Sequence, residues 1–235
     1  MKRLVFLCSG GGGNLRFVHA AIRRGWLPDT QLVGVLTDRI CAANDFARDN
    51  GIFECCMDFS LAGQEQVLET VQRLSADAVV TNVHKILSPA FVAAHEGALV
   101  NLHYSLLPAF GGVIGVTPVK RALEYGATLL GVTAHQVSTE VDAGRPLLQA
   151  AIPVEPGDNA DVVMDVVFRA GCLTLLGALR RQLGDDTPTR SRVMRLRERD
   201  VLFNPFGSVS DDWNDEAFWA QLKSPPVGER ARAQS

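Results

Sequence analysis

The sequence carries no basic excess: 23 Lys and Arg stand against 26 Asp and Glu, a formal net charge of −3. A chain that grips a polyanion normally shows the opposite balance, so nucleic acid is not an expected partner. Nowhere does an uninterrupted apolar run approach the roughly 18 residues of a membrane span, so no membrane association is expected. The five cysteines (Cys8, Cys41, Cys55, Cys56 and Cys172) form no CxxC pair, and the histidine and cysteine spacings offer no zinc set. No metal is expected, and a reducing, cytoplasmic setting is the simplest reading of an odd number of thiols. The opening Met1-Lys2-Arg3 is followed by only five apolar residues before Ser9, too few for a signal peptide. There is no internal repeat and no nucleophile elbow with Ser, His and Asp in order.

What is present is core material. Hydrophobic residues make up 47% of 235, enough for one compact domain with an appendage. Short β-rich runs alternate with longer segments of helical period. That pattern predicts an α/β, Rossmann-like fold with a mainly parallel twisted sheet. Strands are expected at Leu4–Cys8, Leu32–Leu36, Phe53–Met57, Ala78–Thr81, Ala98–Leu102, Leu130–His135 and Leu147–Val154. Helices are expected at Asn14–Arg24, Cys41–Asn50, Gln64–Leu74, Pro89–His95, Thr117–Tyr125 and Ala160–Gln182. Ser88 before Pro89 supplies a capping oxygen and then a residue that needs no donor. Composition changes near Gly184, which divides a main domain (1–184) from a carboxy-terminal extension (185–235). The extension holds Arg190, Arg192, Arg195, Arg197 and Arg199, read as a solvated strand or turn ahead of a phosphate or RNA site. A short acidic and aromatic helix is expected at Asp211–Leu222, then a frayed tail from Pro225.

The first strand runs into Ser9-Gly10-Gly11-Gly12-Gly13-Asn14-Leu15 and a helix follows. Glycines there let backbone amides approach an anion, and the helix dipole favours negative charge. No Lys-Ser/Thr pair follows, so this is not a Walker A loop; the third glycine of a dinucleotide fingerprint would fall on Leu15. Gly11, Gly12, Gly13 and Asn14 therefore read as a phosphate or carboxylate cradle for a substrate, or as a glycine-rich turn with no ligand.

The sharpest polar feature is Asn101-Leu102-His103 at the end of a buried strand. In extended chain the two polar residues point to one side, where an amide donor beside an imidazole can stabilise an oxyanion and move a proton. Alone, the pair fits a structural histidine at least as well. A second island, Ser138-Thr139-Glu140-Val141-Asp142-Ala143-Gly144, lies between two expected strands, and Asp142 could reach an imidazole and hold it protonated. His135 reads first as a packed histidine, and His19 and His95 as ordinary helix residues.

Taken together these residues resemble the folate-dependent formyltransferase family, over about Lys2 to Gln182. The markers are the Ser9–Leu15 loop, Ile86-Leu87-Ser88-Pro89, Asn101-Leu102-His103 with Ser105-Leu106-Leu107-Pro108, and Val141-Asp142-Ala143-Gly144-Arg145-Pro146. The resemblance implies catalytic roles for Asn101, His103 and Asp142, with 10-formyltetrahydrofolate as co-substrate and no metal. It implies that the pterin lies near His84, Lys85, Ile86, Leu87 and Val141. It implies an amine attacking the formyl carbon, with Asn101 and protonated His103 donating to the oxygen and Asp142 assisting the proton transfer. The expected enzyme is an N-formyltransferase acting on a small, anionic amine; the resemblance leaves room for a homodimer.

Three departures bear on the acceptor. His84-Lys85 stands where purine-branch members of the family carry an apolar residue and Arg. No acid occurs in Val167–Cys172, where that branch places a ribose-binding Glu, and Phe110–Thr117 is longer and lacks a histidine. The alternative function is hydrolysis of 10-formyltetrahydrofolate, with water as acceptor. Against it, that branch carries an amino-terminal domain, whereas strand one here is expected from residue 3. A non-catalytic folate-binding relative is a third reading, opposed by the presence of all three catalytic-type residues.

Overall fold

A computed structural model of the chain describes residues 1–207 and 211–223. It divides into two compact units: Met1–Phe91 together with Val209–Ser235, and Val92–Ser208.

The first unit is the expected alternation of strand and helix. Its strands β1 (Lys2–Cys8), β2 (Thr30–Thr37), β3 (Phe53–Cys56) and β4 (Ala78–Asn82) lie in the order β3-β2-β1-β4, and the pairings β2–β3, β1–β2 and β1–β4 are all parallel. Leu4 to Leu7 are fully buried, as a strand covered on both faces requires. Helices α1 (Gly13–Arg23), α2 (Ala42–Asp49) and α3 (Gln64–Arg73) fall within a residue or so of their expected bounds. The turn into α1 passes through Gly12 at φ +68°, left-handed backbone that a side chain would resist. Ser88 caps α4 (Pro89–Ala94): its Oγ accepts from the Phe91 amide at 3.2 Å.

The second unit holds β5 (Leu99–His103), β6 (Leu129–Gln136), β7 (Pro146–Pro153), β8 (Arg190–Leu196) and β9 (Arg199–Phe206), in the order β5-β6-β7-β9-β8 with antiparallel pairings. The α/β class therefore stands, with the parallel ladder in the first unit and an antiparallel one added in the second. Helix α5 (Thr117–Tyr125) precedes β6, and α6 (Ala160–Gln182) is the core helix. By length and composition α6 could cross a membrane, but 78% of its most apolar window is buried inside the protein. Asn159 caps it through hydrogen bonds from the Asp161 and Val162 amides at 3.0 and 3.1 Å.

The boundary expected at residue 184 coincides with neither unit. The arginine run is largely β8, paired with β9, which in turn pairs with β7. Arg199 is not solvated: its guanidinium meets both oxygens of Asp158 at 2.5 Å and is 9% exposed. The aromatic segment is a 3-10 turn (Asp211–Asn214) and then α7 (Glu216–Lys223), within the first unit. Trp219 stacks on Phe17 of α1 with ring centroids 5.5 Å apart, and Arg24 lies 4.3 Å over Phe218. The tail expected to be frayed, from Pro225, lies outside the described residues.

Candidate active site

The second unit brings four polar side chains together. Antiparallel register sets His135 of β6 opposite Asn101 of β5, and His103 opposite Thr133. The loop after β6 then returns Asp142 to the same place. Its closure depends on Gly144, whose Cβ would lie 1.7 Å from the Gln136 carbonyl oxygen. Asp142 itself sits at φ +54°, a left-handed conformation that Asp tolerates better than bulkier residues.

Asp142 joins two imidazoles. One carboxylate oxygen is 3.3 Å from His103 Nδ1 and the other 3.5 Å from His135 Nε2. The Gly112 amide also donates to the carboxylate, at 2.8 Å. His135 Nδ1 faces the Gln136 carbonyl at 2.9 Å, and its Nε2 lies 3.3 Å from the Asn101 amide nitrogen. With the proton on Nδ1, Nε2 accepts from Asn101; with a second proton it turns to Asp142. His103 Nε2 faces the Phe110 carbonyl at 3.1 Å. Both histidines are nearly inaccessible, at 7% and 2% exposure.

These contacts set the charges. The hydrogen bond with His135 holds the Asp142 carboxyl below its ordinary value against an opposing burial effect, with help from the Gly112 amide and both imidazoles. For His103 the balance runs the other way. Burial lowers its pKa, and neither the Asp142 charge nor the Phe110 carbonyl offsets that loss of solvation. Burial thus works against the expected role of Asp142 in keeping His103 protonated, although both ring nitrogens face oxygens.

A buried network pins the segment that leads out of β5. Thr133 Oγ1 donates to the Ser105 carbonyl at 2.7 Å and accepts from the Leu107 amide at 3.1 Å. Gln149 donates to Thr133 Oγ1 at 3.0 Å, and Ser105 Oγ donates to the Ala109 carbonyl.

Residues 2–178 match the family described as Formyl transferase. The chain belongs to the formyl transferase family. A chloroplastic phosphoribosylglycinamide formyltransferase from Vigna unguiculata is 33% identical over 170 residues, covering 68% of this chain and 54% of the relative. A formyltetrahydrofolate deformylase from Bacillus subtilis is 32% identical over 142 residues, covering 60% and 44%. This formyl transferase thus spans about half the length of these two curated relatives. A solved glycinamide ribonucleotide transformylase from Symbiobacterium toebii superimposes with a TM-score of 0.73 at 27% identity, covering 88% of this chain and 95% of that one.

The remaining expected residues, Val141 excepted, lie in the first unit. Gly11, Gly12, Gly13 and Asn14 form the turn into α1, braced by Arg16, which donates to the Gly11 carbonyl at 2.7 Å. His84, Lys85 and Ile86 are exposed beyond β4 and Leu87 is buried; the His84 amide donates to Ser9 Oγ at 2.7 Å. Val141, beside Asp142, is 50% exposed. On α6, the stretch without an acid has Gly171 facing Tyr104, whose ring would stand 3.1 Å from an added Cβ. Among the described residues no cluster of His, Cys, Asp and Glu has metal-binding geometry. Sequence reasoning undervalued His135: only the strand register places it at the site. It missed Phe110 and Gly112, whose contributions come from backbone atoms and leave no side-chain signal.

Proposed function

We propose that the chain transfers a formyl group from 10-formyltetrahydrofolate to the amine of a small anionic acceptor resembling phosphoribosylglycinamide. The observation that carries this reading is the meeting of His103 and His135 on the two oxygens of the half-buried Asp142 carboxylate, with Asn101 against His135, in a chain whose relatives are named for this reaction. When bound, the co-substrate supplies an activated formyl carbonyl. The donor set fits that group: the Asn101 amide beside the His103 and His135 imidazoles.

Asn101 donates to the negative charge that develops on the formyl oxygen, an interaction worth about 100- to 1,000-fold in rate. His103 takes the proton released by the attacking amine. Asp142 stabilises the imidazolium as it forms and returns the ring to one orientation. The proton passes on to N10 as its bond to the formyl carbon breaks, so a formylated amine and tetrahydrofolate leave. His135 Nε2 lies within reach of both the Asn101 amide nitrogen and the second Asp142 oxygen. The roles expected of Gly11–Asn14 toward the acceptor and of His84–Leu87 and Val141 toward the pterin rest on the family resemblance.

The similarity to a deformylase supports water as an alternative acceptor. Incubation with 10-formyltetrahydrofolate, with and without phosphoribosylglycinamide, separates the two. Tetrahydrofolate appearing only with the amine supports transfer; equal formate release without it replaces transfer with hydrolysis; no turnover with either overturns both.

A further inference from the structure

We propose that Phe110–Gly112 is a backbone latch on the reacting pair, which holds Asp142 through an amide and occupies His103 Nε2 with a carbonyl until substrate displaces it. This inference rests on the reading of His103 and Asp142 as the reacting groups. The Phe110 carbonyl lies 3.1 Å from His103 Nε2, and the Gly112 amide lies 2.8 Å from Asp142 Oδ2, the same oxygen that faces His103 Nδ1. Three residues of main chain thus contact both members of the pair. The ring nitrogen that would meet the amine or the formyl oxygen is already faced by the protein's own carbonyl.

The segment lies between two held arms and carries turns of its own: the Gly111 amide donates to the Pro108 carbonyl and the Val113 amide to the Phe110 carbonyl, each at 3.3 Å. Its upstream arm is fixed: Leu107 and Ser105 are tied to Thr133, Gln149 donates to the Leu107 carbonyl at 3.3 Å, and the Ala109 carbonyl is held by Ser105. Downstream, Thr117 starts α5. Between them Phe110 has φ +57°, disfavoured for an aromatic residue, while Gly112 and Gly115 have φ +77° and +68°. An added Cβ at either glycine meets nothing within 4 Å. Ile114 and Val116, in the same loop, are 61% and 38% exposed. They are apolar surface available to a bound co-substrate when the loop shifts. His103 Nδ1 keeps Asp142 as its partner in the proposed reaction, so the carbonyl contact on Nε2 is the one that can be exchanged for a better partner.

The test is the rate at which diethyl pyrocarbonate acylates His103, read by peptide mass mapping in the free full-length protein. Gly112→Ala adds a methyl to open space but penalises left-handed backbone, so it should open the latch and raise His103 labelling by about 5- to 30-fold. Gly115→Ala carries the same penalty outside the latch contacts and should leave the rate within about 2-fold of the parent. Equal rates in all three proteins, or equal acceleration by both variants, would overturn the latch. Should Gly112→Ala fail to fold, hydrogen exchange of the parent decides: a protected Gly112 amide supports the latch, and one exchanging at the free-peptide rate refutes it. Neither measurement needs turnover, so failure of the latch is distinct from failure of the proposed reaction.

Discussion

One carboxylate oxygen of Asp142 stands 3.3 Å from His103 Nδ1 while the other stands 3.5 Å from His135 Nε2. His103 precedes Asp142 by nearly forty residues, and His135 arrives on a different strand. A carboxylate so placed fixes the orientation of both rings and favours a proton arriving on His103. Burial acts against that proton, so the two influences oppose each other at one imidazole.

Asn101→Ala should lower kcat by about 100- to 1,000-fold, because the amide acts on charge present only in the transition state. The KM for 10-formyltetrahydrofolate should move little. Steady-state kinetics checks both; a loss confined to KM would assign Asn101 to ground-state binding instead.

His135→Ala removes the largest influence holding Asp142 ionised. The acid limb of the kcat profile should therefore move to higher pH, and His135→Gln, which keeps a donor, should restore part of the shift. Native-state stability follows the same sign. A depressed carboxyl contributes stability above its unfolded value of 3.8 that is lost as pH falls through the folded value. An unmoved limb in His135→Ala would remove this coupling.

Burial lowers the pKa of His103 from 6.5, so below that pH the unfolded chain binds protons that the native chain refuses. Its contribution to stability is present above pH 6.5 and falls as the solution is acidified. His19, lowered mainly by burial, adds the same sign, so the comparison needs a variant. Urea unfolding at pH 7.5 and 5.5 should show a smaller acid loss in His103→Gln than in the parent. An equal loss would place the effect elsewhere.

Trp219 is 1% exposed and stacks on Phe17. Trp219→Ala should cost about 3–5 kcal/mol by chemical denaturation, as for other large buried aromatics. A cost below about 0.5 kcal/mol would show that α7 does not contribute to the folded first unit in solution.

Much of this was legible in the sequence because period and punctuation agreed. β1, α1 and the Ser9–Asn14 turn follow from an apolar run, four glycines and a helical pattern, and Ser88-Pro89 marked α4. Helix α5 and helix α6 fell on their expected bounds. The β8–β9 hairpin was less visible, because its turn at Arg197-Glu198 carries no Asn-Gly signal and forces Arg197 to φ +56°. Arg199 was taken for surface charge because its partner Asp158 lies 41 residues back. The meeting of Asn101, His103 and Asp142 was anticipated from family resemblance. The place of His135 required strand register, and the downward pull on the His103 pKa required knowing how deeply it is buried.

The central claim is that His103 and Asp142 act together on the proton that leaves the attacking amine. Its most direct test is the double-mutant cycle of His103→Ala and Asp142→Asn, measured as kcat with 10-formyltetrahydrofolate and phosphoribosylglycinamide. Each single variant should lose about 100- to 10,000-fold, and the double variant should lose little more than either, with tetrahydrofolate binding retained in all three. Losses that simply multiply, or near-parental turnover in either single variant, would contradict it.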